Sequence, residues 1–321
     1  MIINLNVFKK PVTGEAWPLL SPELNQIQFL VSDLDDAKYA LKVTAVDGYL
    51  VDWGDGSEPE AFDSEEVAEH AYTVGAGVPF IGGGYTFWVI TISATEDITS
   101  FNCNYHSTKG VNTDYGYLAA AFNVPTLAGI GPMFNGTLFA APHLTIVDFI
   151  ADMPDFTDLS YLVQGPNQIT TIDLTHFTEA LATYQILPYT QLTSFTAPAN
   201  FSNVTAAQGM LSSMPELLTA DITAMTSLQN AQSMFNSSPK LKTINASGLV
   251  AITTSPYFIL ACSDLETLDI RDGNFSTVMI DAIIDTLPVN ATPDKILYCK
   301  GNPGTAGVTH TKSGWTIDTT T

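Results

Sequence analysis

Residues 210–222, MLSSMPELLTADI, are followed 24 residues later by residues 234–246, MFNSSPKLKTINA. A third copy, FILACSDLETLDI, occupies residues 258–270 at the same spacing. Each copy has a leucine in its centre and apolar residues three and five positions beyond it. Units of about 24 residues cannot bury their apolar faces alone, so they stack on one another. The second half of the chain is therefore predicted to be a repeat array.

Six leucine-like anchors define the array: Leu144, Ile169, Leu192, Leu217, Leu241 and Leu265. The steps between them are 25, 23, 25, 24 and 24 residues. The apolar positions after each anchor predict one short strand per unit, because alternate side chains of a strand share one face. Apolar residues also recur about seventeen residues after each anchor, in 203–211 (NVTAAQGML) and 226–235 (TSLQNAQSMF). These stretches predict one short helix per unit.

The units resemble the BspA-like leucine-rich repeats, on the stretches FSNVT (201–205) and MFNSSPKL (234–241). Cys262 falls on the cysteine of that family, and other units replace it with Ser238, Met214, Tyr189 or Pro166. The resemblance covers residues 97–321, with a weak first unit at 98–103, a degenerate region at 104–143 and a terminal cap from Lys295 onward. It implies a leucine-rich-repeat solenoid in a surface or fibre protein.

Residues 26–94 show the alternation of short β-strands. Apolar runs separated by Asp and Gly turns lie at residues 26–32, 39–46 and 49–53. In residues 51–57, VDWGDGS, a strand ends at Trp53. Gly54 and Gly56 follow, and glycine readily adopts left-handed backbone angles. An antiparallel sandwich fits this pattern, with Trp53 in its core and Asp55 bonded to the backbone amides of the turn.

The same region resembles the PKD domain, an immunoglobulin-like sandwich. The resemblance rests on WGDGS, on His70-Ala71-Tyr72 and on the strand YTFWVITIS at 85–93, and it departs from the family in the longer stretch 73–84. It implies a spacer or interaction module at residues 26–96. Residues 1–25 are then expected to be an attachment segment or an extra strand. The predicted fold class is mainly β with short helices, an Ig-like sandwich followed by the solenoid.

The charge balance of the chain limits its partners. Eleven basic residues face 33 acidic ones, which gives a formal net charge of −22. Nucleic-acid binding depends on Lys and Arg, so neither a nucleic acid nor an anionic membrane surface is an expected partner. No membrane-spanning run or secretory signal is predicted. The three cysteines, Cys103, Cys262 and Cys299, are expected to be reduced and buried, with one disulfide as the alternative.

No catalytic motif is present in the sequence. The five histidines have no metal-ligand spacing, and no nucleophile motif or phosphate loop occurs. We therefore predict no enzymatic activity, cofactor or metal. Five aspartates suggest a calcium site, but the favoured interpretation is that they cap turns or face solvent: Asp33, Asp35, Asp36, Asp52 and Asp55.

One constellation predicts a binding surface. Residues two and four positions after each anchor face away from the buried ones, so they form two polar columns about 4.8 Å apart from coil to coil. The candidate face consists of Asp148, Thr171, Asp173, Ser194, Thr196, Thr219, Asp221, Thr243, Asn245, Thr267 and Asp269. Stacked carboxylates there would attract a cation or a basic partner; the alternative is a merely solvated sheet.

These expectations favour a non-enzymatic structural and adhesion protein of a phage virion, as a fibre, decoration or tail component. It would assemble in the host cytoplasm, reach the virion surface and act as a homo-oligomer or part of a larger assembly. Its expected partners are other virion proteins and a host-surface protein or glycan. A bacterial cell-surface adhesin and an accessory carbohydrate-binding region of a larger enzyme system remain as alternatives.

Overall fold

The computed structural model describes residues 20, 22–32, 38–72, 78–79, 86–102, 117–127, 129–130, 144–163, 167–289 and 294–320. The described chain is mainly β, with one α-helix and a β-solenoid. It divides into two compact units. The first unit is formed by residues 1–155 and 165–176, and the second by residues 156–164 and 177–321.

The first unit holds eleven of the described strands: β1 (Gln26–Ser32), β2 (Lys38–Ala45), β3 (Tyr49–Asp52), β4 (Glu60–Phe62), β5 (Val67–Ala71), β6 (Val78–Pro79), β7 (Thr86–Ser93), β8 (Ile98–Asn102), β9 (Tyr117–Asn123), β10 (Gly129–Ile130) and β11 (Ile146–Phe149). One sheet has the order β11-β9-β1-β7-β3-β4, with β6 also paired to β7. The other sheet has the order β10-β8-β2-β5.

Aromatic rings connect these two sheets. Phe29 on β1 stacks on Phe101 of β8 with ring centroids 5.3 Å apart, and it meets Phe122 of β9 edge to face at 5.9 Å. All three side chains are fully buried. Burying large rings removes much apolar surface from water, so this cluster contributes strongly to the core.

Strand β8 belongs to the sheets and not to the repeat array. Residues 98–103 were predicted to be a weak first repeat unit, with a domain boundary at 96/97. Instead β8 pairs antiparallel with β2, and Ile98 and Phe101 are buried in the core of the first unit. Strands β9 and β11 likewise extend the sheet of β1. Sequence alternation alone does not reveal which sheet a strand joins, so the array begins later than predicted.

The turn after β3 is built around Trp53. Its side chain is fully buried, as predicted, and its ring stacks on His70 at 4.8 Å. The hydroxyl of Tyr72 donates to the Trp53 carbonyl oxygen. Gly54 has a φ of +73°, and a Cβ at this position would lie 2.3 Å from the Val89 carbonyl oxygen. Only glycine fits such a position, so the turn packs directly against β7.

The second unit contains a parallel sheet of six strands in chain order: β12 (Ser194–Thr196), β13 (Thr219–Asp221), β14 (Thr243–Asn245), β15 (Thr267–Asp269), β16 (Lys295–Tyr298) and β17 (Trp315–Asp318). The central residue of each of the first four strands is buried: Phe195, Ala220, Ile244 and Leu268. These are the positions three residues after the anchors, so the predicted strands and their inward face are confirmed for these four units, whereas the unit anchored at Ile169 forms no strand.

The predicted short helices between the strands are wrong. Residues 206–213 and 230–237 form chains of turns, which we call bends, and not α-helix. Left-handed residues recur every four positions, at Gly209 and Ser213 and again at Ser233 and Ser237. These residues interrupt any helix. The bends are held by a second ladder of parallel bridges that joins Ala182, Ala206, Asn230 and Thr254.

Helical structure in the second unit is limited. Two 3₁₀ turns cover Ala199–Asn203 and Thr305–Gly307, and α1 covers Thr277–Thr286. The Ser276 side chain caps α1 by accepting from the Met279 N–H, and Ile280, Ile283 and Ile284 form its buried face. Within the described residues, no helix is long and apolar enough to cross a lipid bilayer.

Candidate binding face of the repeat array

The parallel register of the second unit places the predicted polar residues in two columns. The hydroxyl column runs through Ser194, Thr219, Thr243 and Thr267, and the register then continues it to Ile296 and Thr316. The acidic column runs through Thr196, Asp221, Asn245 and Asp269, and then to Tyr298 and Asp318. Both columns lie on the face opposite the buried central residues of β12–β15.

The acidic column shapes the turns that follow the strands. Asp221 Oδ1 accepts hydrogen bonds from the Thr223 N–H at 3.0 Å and from its hydroxyl at 2.7 Å. Asn245 with Ser247, and Asp318 with Thr320, repeat this pair of bonds. A side chain that bonds the backbone two residues ahead stabilises a turn. These three coils therefore use this position to turn the chain.

Carboxylates do not stack on one another in this column. Asn245 separates Asp221 from Asp269, and its Nδ2 donates to Asp221 Oδ2 at 3.1 Å. Arg271 forms an ion pair with Asp269 at 2.6 Å and lies over the Tyr298 ring. The repulsion on which the predicted attraction for a cation depended is thereby relieved. The described residues contain no group of three or more acidic, His or Cys side chains that could hold a metal ion.

The hydroxyl column differs from the acidic column because its hydroxyl groups do not hydrogen-bond within the coils. Ser194, Thr219 and Thr243 are exposed, and Thr267 is half-buried. Within the part of the chain that the structure describes, these four hydroxyls have no hydrogen-bond partner. A hydroxyl both donates and accepts, so this column can bond a ligand of either polarity.

Ion pairs flank the columns, and the sequence analysis missed them. Lys240 Nζ lies 2.7 Å from both carboxylate oxygens of Glu216, and Lys242 Nζ lies 3.3 Å from Glu266. Each pair is separated by 24 residues, which is the repeat period. That spacing was the signal that could have found them. Lys240 and Lys242 are thus committed to bonds between neighbouring coils.

Three of the predicted face residues belong to the first compact unit. Asp148 is the exposed residue between buried Val147 and Phe149 on β11, and Thr171 and Asp173 lie in a segment without regular strand structure. Hydrogen bonds from the Thr175 side chain and backbone lower the pKa of Asp173. Desolvation, followed by the charge of Asp173, raises the pKa of Asp148. These two carboxylates influence one another, whereas those of the second unit are separated.

The cysteine position of the repeat has a structural role. The Cys262 thiol donates to the Phe235 carbonyl oxygen at 3.0 Å, and Ser238 bonds the Leu211 carbonyl in the same way. Burial raises the pKa of Cys262 to about 12. Both Cys262 and Cys299 are buried and free, whereas Cys103 lies outside the described residues. Tyr189, aligned with this position by sequence, is 48% exposed, and Thr190 takes the buried place.

The turn aspartates of the first unit cap backbone, as the favoured interpretation predicted. Asp52 Oδ1 accepts from the Gly54 N–H at 2.8 Å, and Asp55 Oδ1 accepts from Ser57. Asp55 Oδ2 also lies 2.9 Å from His70 Nε2. The other candidates for a calcium site, at positions 33, 35 and 36, and most of residues 1–25 lie outside the described residues.

Comparison with protein-family models, with curated proteins and with solved structures gave no match for this chain.

Proposed function

We propose that this chain is a non-enzymatic structural and adhesion protein of a phage virion, which presents the strand face of its solenoid to a host-surface protein or glycan. The observation that carries the proposal is the hydroxyl column: Ser194, Thr219, Thr243 and Thr267 stand in register, and their hydroxyl groups have no hydrogen bond to other described residues. Side chains fixed on a hydrogen-bonded sheet lose little entropy on binding.

We propose further that the first unit is a PKD-like, immunoglobulin-type sandwich and that the coils are diverged BspA-like leucine-rich repeats. Support for the sandwich comes from two mainly antiparallel sheets and from the contacts among Trp53, His70 and Tyr72, which are the residues of the resemblance. Support for the repeats comes from the period of 24 and from Cys262 at the buried position. Both families occur in surface and fibre proteins.

The binding face is tested by removing hydroxyls without removing shape. The variant Thr219→Val, Thr243→Val, Thr267→Val keeps β-branched side chains and should fold normally while losing adhesion to host cells by about tenfold or more, as expected for several lost hydrogen bonds. Gln229→Ala with Gln232→Ala, two exposed positions at and beside the bend of residues 230–237, is the matched control. If the valine variant adheres like the control, this face is not the recognition surface.

The particle assignment is tested separately. Antibodies against the purified chain should label phage particles in electron micrographs, at the capsid, tail or fibres. Labelling confined to the envelope of uninfected bacteria would replace this assignment with the bacterial adhesin. The two experiments fail independently, because a face can bind whichever surface carries it.

A cleft in the first unit favours carbohydrate binding as a second candidate function. It has a volume of about 620 Å³ and is lined by the stacked rings of Tyr49 and Phe62 together with Glu23, Asp47 and Asp63. Apolar rings beside a few polar groups are typical of small-molecule sites. Binding of the purified chain to a glycan array, and its loss in Phe62→Ala, would support this function over the strand face.

A further inference from the structure

The cleft of the first unit lies where four neighbouring strands of one sheet end together. Strands β1, β7, β3 and β4 are adjacent in that order. Gln26 and Leu50 both pair with Ser93 at the end of β7, and Tyr49 pairs with Phe62. Residues of these strands and of the turns beside them line the cleft. Its walls therefore belong to a hydrogen-bonded sheet, and a ligand would meet a preformed surface.

The charged residues that line this cleft are all acidic. They are Glu23, Asp47, Asp63 and Glu66, and none of the described lining residues is Lys, Arg or His. Within the described part of the chain, none of these four carboxylates forms an ion pair. The glutamates beside the solenoid strands differ, because Glu216 and Glu266 are paired with lysines. A cleft lined by one sign of charge concentrates ligands of the opposite sign.

The same cleft has apolar walls, which favour an organic cation over a metal ion. The rings of Tyr49 and Phe62 stack with their centroids 5.4 Å apart, and Phe62 is partly exposed. Leu24 and Leu50, which also line the cleft, are 67% and 43% exposed. The described residues contain no cluster of side chains suited to a metal ion. The carbon skeleton of an organic cation can pack against the ring and the leucines while its charge meets the carboxylates.

The charges of the cleft specify which class of carbohydrate suits it. A sugar ring packs against an aromatic ring because its slightly positive C–H groups meet the negative ring face. Ammonium substituents on the sugar form charge-assisted hydrogen bonds with carboxylates. Carboxylated or sulfated sugars would be repelled by the acidic lining. The volume of about 620 Å³ lies within the range of small-molecule sites, so the cleft can hold a short oligosaccharide.

We propose that the cleft binds an oligosaccharide of amino sugars whose amino groups are free and carry a proton. This inference rests on the carbohydrate-binding function proposed for the same cleft. The ring of Phe62 packs against the sugar. The carboxylates of Asp47 and Asp63, which have no hydrogen bond within the described residues, bind its ammonium groups. Neutral and acidic sugars lack this second set of contacts.

The test compares two tetrasaccharides that differ in one substituent on each ring. At pH 6 the tetramer of glucosamine is cationic, whereas the tetramer of N-acetylglucosamine is neutral. Calorimetric titration of the full chain at low salt should show that the cationic tetramer binds about tenfold more tightly, the effect of two or three exposed ion pairs. Raising the salt concentration should reduce this ratio, because exposed charges are screened.

Variants separate the contribution of charge from that of the aromatic ring. Asp47→Asn with Asp63→Asn removes two charges at similar side-chain size and should reduce the ratio of the two affinities to about threefold or less. Glu58→Gln with Glu60→Gln removes two exposed charges that do not line the cleft, and this control should keep the ratio of the unaltered chain. Phe62→Ala should weaken the binding of both tetramers by a similar factor, because the ring packs against either sugar.

Three outcomes overturn the inference. Equal affinity for the two tetramers, or the same ratio in both double variants, would leave carbohydrate binding intact and remove the preference for amino sugars. Binding of neither tetramer would remove the carbohydrate function of the cleft together with the inference. A tetralysine peptide that binds as tightly as the glucosamine tetramer would show that the cleft recognises charge alone.

Discussion

The turn after β3 and the turns after the solenoid strands use the same device in different surroundings. Asp55 Oδ1 accepts from the Ser57 N–H at 3.0 Å and from its hydroxyl at 2.6 Å. Asp221 bonds Thr223 at 3.0 and 2.7 Å. Local chemistry alone therefore does not distinguish a turn of the first unit from a turn of the solenoid.

The difference lies in what each aspartate meets next. Asp55 contacts His70, which stacks on Trp53, so its turn belongs to a single aromatic cluster. Asp221 meets Asn245 of the following coil, and the bond to the residue two positions ahead recurs at Asn245 and Asp318. The stabilising contacts of the first turn are concentrated in one aromatic cluster, whereas those of the solenoid turns are distributed over successive coils. In a repeat array, units interact with their nearest neighbours alone, so the damage from one substitution should stay local.

The aromatic cluster around Trp53 predicts the largest effect on stability. Trp53→Ala removes a fully buried indole and should lower the free energy of unfolding by about 3–5 kcal/mol. Urea denaturation should show the loss in one transition, with the transition of the second unit unchanged. Trp53→Phe should cost less because a ring remains for His70 to stack on. An unchanged first transition would show that the aromatic cluster does not determine the stability of the first unit.

A core substitution in the solenoid should lower the free energy of unfolding by a similar or smaller amount, and its effect should stay within a few coils. Leu241→Ala empties a fully buried anchor and should cost about 2–5 kcal/mol. Hydrogen exchange should rise in its own coil and the two adjacent coils, while β16 and β17 stay protected. Leu218→Ala, at an exposed neighbouring position, is the matched control. Uniform loss of protection throughout the array would contradict local damage.

Removing one turn aspartate should cost less again. Asp221→Ala loses the bonds to Thr223 and Asn245 and should lower stability by about 1 kcal/mol. Asp264→Ala is the control, since its exposed carboxylate has no bond within the described residues. Equal stability of the two variants would show that the acidic column is a solvated surface.

The smallest effect is a pH dependence of the first turn. Hydrogen bonds from the Ser57 side chain lower the pKa of Asp55, with further contributions from the Ser57 backbone and His70. Because the pKa is lower in the folded chain, Asp55 stabilises the fold at neutral pH, and this contribution is lost as pH falls below about 4. Asp55→Asn should show a weaker decline in the urea midpoint between pH 6 and pH 3. A decline as steep as in the unaltered chain would assign the acid sensitivity to other carboxylates.

The sequence predicted those features that follow from alternation and spacing. Trp53 in the core, the buried residues three positions after each anchor and the outward polar columns all depend on the two-residue period of a strand. The bends could not be predicted in this way. Apolar residues at Met210 and Met234 suggested helices, but the left-handed backbone at Ser213 and Ser237 depends on bonds to the next coil. Ordinary serine gives no local sign of such a conformation.

The candidate site was predicted in position but not in chemistry. The columns were expected to combine stacked carboxylates and hydroxyls, yet Asn245 separates Asp221 from Asp269 and Arg271 pairs with Asp269. The hydroxyl groups alone stay free among the described residues. The hydrogen-bond partner of each side chain depends on distances between coils, which the sequence does not show. The place of β8 was missed for the same reason, since pairing with β2 is a contact between distant residues.

The exchange of a bend for α1 between β15 and β16 has a consequence for how such arrays diversify. The two strands keep their register, Thr267 with Ile296 and Asp269 with Tyr298, although a ten-residue helix has been inserted between them. The pairing of successive strands is therefore kept even when another segment replaces the bend that normally connects them. A peptide tag or epitope grafted between β15 and β16 should be displayed without loss of the sheet, and natural variants would gain new loops at the same point.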